Sequence, residues 1–550
     1  MYLKRMMLKC IPVILLLCFI WQTMIPSSAE TSNGTDLRYN MSYVYFGSSG
    51  SYVRHMDRTN SSLDEISPNY FNLSKDGSLA LTPAVDQAFI DEMHRRDIFV
   101  VPFLSNHWDR ELGQTALAKR EELAEQIAEA VEEYALDGVN VDMENLTERE
   151  RDQHTDFIRI LKEKLGDDKI VAVSVAANPY DITTGWKGSY DYKGLGTYSD
   201  YLMIMAYDEH YQGGEPGTIA SLNMAEKSIQ YALGKVPKEK IVLGLPFYGR
   251  IWKEGGGFPQ GAGIGNMEVQ ELIENYNGKV TFEEKSATPY ATITVKEKDQ
   301  KPIIGGKPIE TGTYTIWFEN EGSIKQKLQL VEKYNIKGTG SWSLGQETAD
   351  TWDYYRLWLN GCKFSDVGNH WARDYIIEAY KMNWVMGMTQ TSFGPDRSLT
   401  RAEAAAMLVR LLKLPVNPDQ KSAFADVSGH WAQGEIDTAR RHNIVNGVGA
   451  GRFEPEATIT REQMAVMLHN VLNDRSIIGK GLPIEGKDLP SDFSDVSMES
   501  NPWSVQSIDQ VCKLDIVKGF GDGSFRPKEF LSRSQMTVIM STLTRVLNIR

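Results

Sequence analysis

The sequence predicts an α/β chain in three parts. A (β/α)8 barrel spans residues 36–360, a small α+β insertion at about 253–318 interrupts it between strands seven and eight, and a helix-rich bundle of three repeats follows. Three observations carry this. Eight short apolar runs alternate with amphipathic stretches in the first two thirds. A Trp, a Pro and an Arg recur at fixed spacing in the last third. The charge divides along the same boundary: 22 basic and 22 acidic side chains lie from residue 361 onward, so the whole net charge of −14 belongs to the first 360 residues. With 41% hydrophobic and 24% charged residues, the chain is neither mostly disordered nor a multi-span membrane protein. Its negative charge opposes attraction to nucleic acid or anionic lipid.

The N-terminus reads as an export signal over residues 1–29. Lys4, Arg5 and Lys9 precede an apolar run from Ile11 to Ile20, and Ser27 and Ala29 place small residues before a cleavage at Glu30. With the signal removed, no stretch is long enough to cross a bilayer, so no membrane partner is expected. Cys362 and Cys512 then remain as the two cysteines, read as buried fillers rather than a bridge or metal pair. No metal site and no cofactor are expected, and the scattered histidines suggest no His base.

The candidate strands are Tyr43–Phe46, Tyr70–Leu73, Ile98–Leu104, Gly138–Met143, Ile170–Ala176, Tyr201–Met205, Ile241–Pro246 and Gly340–Trp342, with helices between them such as Lys119–Tyr134 and Glu148–Leu165. The stretch Lys253–Phe318 breaks this rhythm. It is rich in Gly, Thr, Val and Ile with turn signals, and reads as an antiparallel insert.

The repeats begin Phe364-Ser365-Asp366-Val367, Phe424-Ala425-Asp426-Val427 and Phe493-Ser494-Asp495-Val496. Counting from Trp371, Trp431 and Trp503, a Pro falls at +24 and an Arg (Arg401, Arg461, Arg533) at +30 in each copy. Thr400, Thr460 or Ser532 caps the helix that carries the Arg, with Glu403, Gln463 or Gln535 completing a capping box. Capping does not explain a cation in every first turn, where the helix dipole disfavours it. Three arginines beside free helical N–H groups are instead expected to form anion sites. The copies, at 363–420, 421–484 and 489–550, resemble S-layer homology (SLH) domains. The resemblance implies a three-repeat bundle that binds pyruvylated secondary polymers of a cell wall, with Arg401, Arg461 and Arg533 gripping the negative sugars.

The chemistry lies in the fourth strand, Asp137-Gly138-Val139-Asn140-Val141-Asp142-Met143-Glu144. Side chains alternate across a strand, so Val139, Val141 and Met143 face the helices while Asn140, Asp142 and Glu144 face the barrel interior. Charges without partners are costly in a core, and the run ends at the C-terminal rim, where barrels of this class do their chemistry. Close carboxylates cannot both ionise cheaply, so one pKa rises. Glu144, nearest the rim, is expected to hold a proton as general acid. Asp142 either stays charged or shares that proton. Neighbours on one strand cannot flank a glycosidic bond, which suits the substrate-assisted variant of sugar hydrolysis. Trp108, Trp186 and Trp252 are further candidates to line a glycan cleft.

Residues 36–360 resemble glycoside hydrolase family 18, in the branch that includes spore-cortex-lytic N-acetylglucosaminidases and chitinases. The matching residues are Asp137, Gly138, Asp142 and Glu144; Met205, Tyr207 and Asp208; Gly244 through Arg250; and Trp342. The resemblance implies a TIM barrel that cleaves N-acetylglucosamine-containing polysaccharide, chitin-like or peptidoglycan. In it Glu144 donates the proton, Asp142 orients the acetamido group and Tyr207 hydrogen-bonds its carbonyl. Asn140, Asp208, Tyr248, Arg250 and Trp342 contact substrate. Asn140 departs from the family, which carries Asp there, and so removes a charge and a proton-sharing partner. The implied protein is a secreted, wall-bound glycosidase; the alternative is an inactive, lectin-like glycan binder on the same fold.

Overall fold

The computed structural model describes residues 37–417, 421–478 and 493–549; the expected export signal lies outside the described residues. The first half of the barrel region runs β1 Tyr39–Val44, α1 Ser49–Arg58, β2 Glu65–Pro68, β3 Phe71–Leu73, β4 Leu79–Leu81, α2 Gln87–Arg95, β5 Phe99–Val100, β6 Phe103–Ser105, α3 Arg110–Ala118, α4 Arg120–Glu133, β7 Gly138–Asp142 and α5 Arg151–Leu165. It continues with β8 Ile170–Ala176, α6 Gly185–Gly188, α7 Tyr192–Tyr198, β9 Tyr201–Met205, α8 Leu222–Leu233 and β10 Ile241–Pro246. Next come β11 Tyr248–Lys253, β12 Ala262–Gly265, α9 Asn266–Asn275, β13 Lys279–Glu283, β14 Thr288–Val295, β15 Ile303–Ile304, β16 Lys307–Pro308 and β17 Gly312–Trp317. The region closes with α10 Glu321–Tyr334, β18 Gly338–Trp342 and α11 Thr351–Leu359.

The main sheet has the order β4-β3-β6-β7-β8-β9-β10-β18-β1-β2-β5, parallel throughout except for β3 with β4. This domain is TIM-barrel-like. The chain of β5 continues directly into β6, so pairing passes from β2 through β5 and β6 to β7. The expected continuous third strand, Ile98–Leu104, is broken there because Pro102 has no N–H to give a neighbour; its carbonyl still accepts from Asn140 at 2.9 Å. The second strand is corrected too. β2, ending at Pro68, pairs with β1, and the expected Tyr70–Leu73 survives as the separate β3. The first strand begins at Tyr39 rather than Tyr43, and the eighth at Gly338 rather than Gly340. Val139, Val141 and Met143 pack in the core between sheet and helices, while Met41, Tyr43, Phe103, Tyr201 and Met203 fill the barrel interior.

Between β10 and β18 stands an antiparallel sheet of order β12-β11-β17-β14-β13, with its own core of Ile251, Ile264, Val269, Ile293, Tyr314 and Ile316. It begins at Tyr248, earlier than expected, so Tyr248 and Arg250 sit on its first strand. An ion pair fixes its exit. Glu319, just after β17, accepts from Lys327 Nζ on α10 at 2.7 and 2.9 Å, and both residues are 1% exposed.

The C-terminal third contains α12 Arg373–Lys381, α13 Arg401–Leu411, α14 Gln433–Arg441, α15 Arg461–Asn473, α16 Arg475–Ile478, α17 Val505–Lys513 and α18 Arg533–Leu547, and its helices share one core. Thr400, Thr460 and Ser532 cap α13, α15 and α18 as expected, with complete capping boxes. The expectation of free N–H groups beside the arginines is overturned. The amides of Arg401 and Ala402 donate to Ala457 and Pro455, those of Arg461 and Glu462 to Glu529 and Pro527, and those of Arg533 and Ser534 to Arg397 and Pro395. Buried helix starts must satisfy their donors, and here the neighbouring repeat supplies the acceptors. The guanidinium groups do likewise. Arg401 donates to the carbonyls of Phe453 and Asn446, Arg461 to those of Phe525 and Lys518, and Arg533 to those of Phe393 and Met386. Arg533 also pairs with Glu403 at 2.7 Å. Cys362 and Cys512 are free; burial pushes each thiol up to about 12.

The first repeat is docked on the barrel. Arg373 donates to the carbonyls of Asn60 and Ser61 at 2.7 and 3.0 Å, and Arg356 on α11 reaches Ser62, Asp64 and Asp374. Residues 59–64 connect α1 to β2, at the N-terminal ends of the strands.

Replacing Glu319 by Gln leaves the Lys327 ammonium buried without a counter-charge. Urea unfolding of Glu319→Gln is expected to show a loss of about 3–5 kcal/mol. A loss below about 1 kcal/mol would mean the pair contributes no more than a surface one.

Candidate active site

The end of β7 sets the site. Gly138 to Asp142 is wholly buried, and Glu144 follows as the strand leaves the sheet, half-buried at the mouth. The alternation anticipated from sequence holds: Asn140 is fully buried and Asp142 is 6% exposed, both on the side away from the helix-facing valines. Asn140 is held in a triangle. Its amide donates to the Tyr43 hydroxyl at 3.0 Å, its carbonyl accepts from Ser174 at 3.1 Å, and Tyr43 and Ser174 lie 2.6 Å apart. Asn140 therefore props the barrel interior and leaves Asp142 without a side-chain partner from that quarter. One Asp142 oxygen, Oδ1, is buried with no hydrogen-bond partner.

The other expected residues converge from neighbouring strand ends. Tyr207 and Asp208 follow β9, Tyr248 and Arg250 lie on β11, and Trp342 ends β18. Arg250 grips Asp208 with two parallel bonds, Nε at 2.8 Å and Nη2 at 2.7 Å, and the Tyr248 hydroxyl donates to Asp208 at 2.7 Å. Tyr207 packs edge-on to Tyr248 at 6.2 Å. Trp342 lies against Tyr43, Tyr45 and Phe103, with ring centroids 5.3–5.9 Å apart. Trp108 is 48% exposed and meets Trp186 at 5.2 Å on the rim. Trp252 is not on that exposed surface; it is buried in one cluster with Tyr248, Tyr207 and Trp342, its indole N–H tied to Gly214 at 3.1 Å.

Electrostatics separate these groups. Burial raises the Asp142 carboxyl to about 7, with the Ser105 hydroxyl pulling the other way. Burial also holds the Glu144 carboxyl well above the usual range, reinforced by the charges of Asp142 and Asp208. Two close acids that raise each other titrate as a pair, so the site keeps a proton through neutrality. Asp208 is engaged by Arg250 and Tyr248, and is unsuited to act as a second acid or as a nucleophile.

The sequence reading missed residues that shape this site. Ser105 and Asn106 at the end of β6, Tyr43 on β1, Ser174 on β8 and Tyr190 before α7 all touch the β7 segment that carries Asp142 and Glu144, or its network. None sits in a motif. The only signal was a polar run, Ser105-Asn106-His107, at the end of an apolar strand.

Comparison with known proteins agrees with this layout. Residues 43–347 match the profile of glycosyl hydrolases family 18, and residues 363–405, 423–465 and 492–537 match the S-layer homology domain. The uncharacterized glycosylase YvbX of Bacillus subtilis is 28% identical over 239 residues, 43% of this chain and 65% of that protein. The cortical fragment-lytic enzyme of Bacillus subtilis is 24% identical over 293 residues, 51% of this chain and 64% of that one. The spore cortex-lytic enzyme SleL of Bacillus cereus shares the fold, with a TM-score of 0.52 and 20% identity over 58% of this chain and 74% of that chain. The chain thus spans between 51% and 65% of the length of the first curated relatives it matches.

The buried acids make stability fall as pH rises. The folded protein keeps protons that the unfolded chain releases above about 4 to 4.5, so each such group costs up to about 1.4 kcal/mol per pH unit until its raised pKa is passed. For Asp142 that window closes at about 7, and for Glu144 it extends further. Glu144→Gln is neutral at every pH. Urea unfolding is expected to show this variant gaining on the wild type between pH 5 and pH 7.5, and a pH-independent difference would contradict the raised pKa.

Proposed function

The chain belongs to glycosyl hydrolases family 18 and carries three S-layer homology domains, and from that premise we propose that it is a cell-wall-bound glycosidase acting on β-linked N-acetylglucosamine glycans with retention of configuration. The observation that carries the reading is the proton-holding pair, Asp142 and Glu144, on one strand beside a third carboxylate already tied to an arginine. With no free carboxylate placed to attack among the described residues that face the pair, the sugar's own acetamido oxygen is the nucleophile.

In this mechanism Glu144 passes its proton to the bridging oxygen as the bond to the anomeric carbon breaks. The acetamido carbonyl oxygen closes on that carbon from the opposite face. Asp142, as carboxylate, accepts the acetamido N–H through the oxygen that now lacks a partner and balances the positive charge of the cyclic intermediate. The Tyr207 hydroxyl steadies the carbonyl, and Trp342 supplies a face for the sugar ring. Water then enters on the departed group's side, Glu144 takes its proton, and the ring opens to product. Asn140, Asp208, Tyr248 and Arg250 act around this centre. Asn140 supports the strand through Tyr43 and Ser174, and the Asp208–Arg250–Tyr248 cluster holds the insert's first strand against the mouth. Trp108 and Trp186 offer a further stacking surface.

The repeats are the anchor. Burial lowers the pKa of Arg401, Arg461 and Arg533; Arg533 has Glu403 as counter-charge, whereas Arg401 and Arg461 form no ion pair among the described residues, which supports an anionic ligand such as a pyruvylated wall polymer at those two. Relatives described as a glycosylase and a cortical fragment-lytic enzyme favour peptidoglycan over chitin as the glycan.

Mass spectrometry of products from muropeptides and chitin oligomers tests the enzyme. Cleavage is expected, with Glu144→Gln slower by about 10²–10⁴-fold. Equal activity in that variant would remove Glu144 from its role, and absence of cleavage in both would leave only a glycan binder. The anchor is tested by sedimentation with isolated walls. A folded Arg401→Ala/Arg461→Ala/Arg533→Ala protein is expected in the supernatant, and full retention would defeat the anchor assignment.

A further inference from the structure

We propose that Asn106 is the positioning residue of the catalytic acid: its single amide group grips both backbone polar groups of Glu144 and so sets where that carboxyl stands in the mouth. This rests on the reading of Glu144 as general acid, and goes beyond it.

Asn106 follows β6 and is fully buried. Its Oδ1 accepts from the Glu144 amide at 2.8 Å, and its Nδ2 donates to the Glu144 carbonyl, also at 2.8 Å. The second Nδ2 hydrogen reaches the carbonyl of Asp109, the N-cap of α3, at 2.8 Å. The amide is thus held in one orientation by three bonds and cannot turn without losing all of them. Glu144 has left the ladder by this point, since β7 ends at Asp142, so no strand partner fixes its peptide groups. Side chains replace the ladder. Tyr190 donates to the Met143 carbonyl at 3.0 Å and Arg110 donates to the Asn145 carbonyl at 2.7 Å, one on each side of the Asn106 grip. Asn145 adopts a left-handed backbone at φ +57°, a turn that these bonds hold in place.

A second observation points the same way. Gly113 is the fourth residue of α3 and has no left-handed φ to explain it. Glycine weakens a helix interior. A Cβ there would stand 2.9 Å from Asn106 Nδ2 and 3.0 Å from Leu146 Cδ2. The helix therefore lacks a side chain at the one place where the Asn106 amide must fit.

Gly113→Ala tests this without touching the barrel mouth, and Asn106→Leu removes the grip outright. In the full chain, kcat on the oligomer that the wild type cleaves is expected to fall about 10- to 100-fold in both, with KM changed less than about twofold. The groups facing Glu144 are Asp142, Asp208 with its Arg250 partner, Tyr190 and Tyr207, and the substitutions alter none of them. A carboxyl released toward water ionises more easily, so the basic limb of the kcat profile is expected to move to lower pH. If Asn106→Leu does not fold, Gly113→Ala decides. Wild-type kcat with an unmoved basic limb in Gly113→Ala overturns the proposal, as does a loss that only tracks the folded fraction. Glu144→Gln separates the two readings: full activity there sinks the acid assignment, whereas its inactivity beside a wild-type-like Gly113→Ala sinks the positioning role alone.

Discussion

The structure turns on two carboxyl groups buried on one strand end without a cation. Arg250 lies on the adjoining strand of the insert, yet both of its parallel bonds go to Asp208. The pair at Asp142 and Glu144 is left to share protons because burial disfavours two charges there and no guanidinium bonds either carboxyl among the described residues. The surrounding fold serves that condition. Tyr43, Asn140 and Ser174 satisfy one another inside the barrel, so none of these three donates to Asp142. The insert carries Tyr248 and Arg250 up to Asp208, which keeps a third negative group near enough to raise Glu144 but too engaged to react.

The repeats obey the same rule about buried polar groups and solve it differently. Helices α13, α15 and α18 each start with an arginine, and each of these reaches into the carbonyls of another repeat. The first repeat binds the second, the second the third and the third the first, so the repeats close into a ring in which the first two amides of α13, α15 and α18 all find acceptors. Arg533 differs from its counterparts by its bond to Glu403, because the first repeat has Glu where the others have Gln463 and Gln535.

Much of this was legible in the sequence because it followed from period and spacing. Strands β8, β9 and β10 begin and end where the apolar runs do. The inward placement of Asn140, Asp142 and Glu144 followed from alternation alone. The errors lie where one residue overrides a pattern. Pro102 cuts the third strand, and Pro68 ends the second before the run at Tyr70 begins. The expectation of free donors beside the repeat arginines fails because the acceptors of those amides come from residues about 53 to 139 positions away, a distance no local pattern reports. Asn106 and Tyr190 escaped for the same reason: each acts on the backbone of β7's continuation, and a backbone target leaves no trace in residue type.

The seam at residues 59–64 has a consequence for how the molecule meets its surroundings. Arg373 fastens the first repeat to the end of the barrel opposite the mouth through the carbonyls of Asn60 and Ser61, and Arg356 on α11 reaches back to Asp374 of the repeat, with no flexible tether between. A leash would let the mouth sweep a volume set by its length. A bolted joint gives it one bearing and one radius. If the repeats grip the wall as proposed, the reach of the mouth is fixed by the protein's own dimensions, and fresh territory comes only when that grip lets go and takes hold elsewhere.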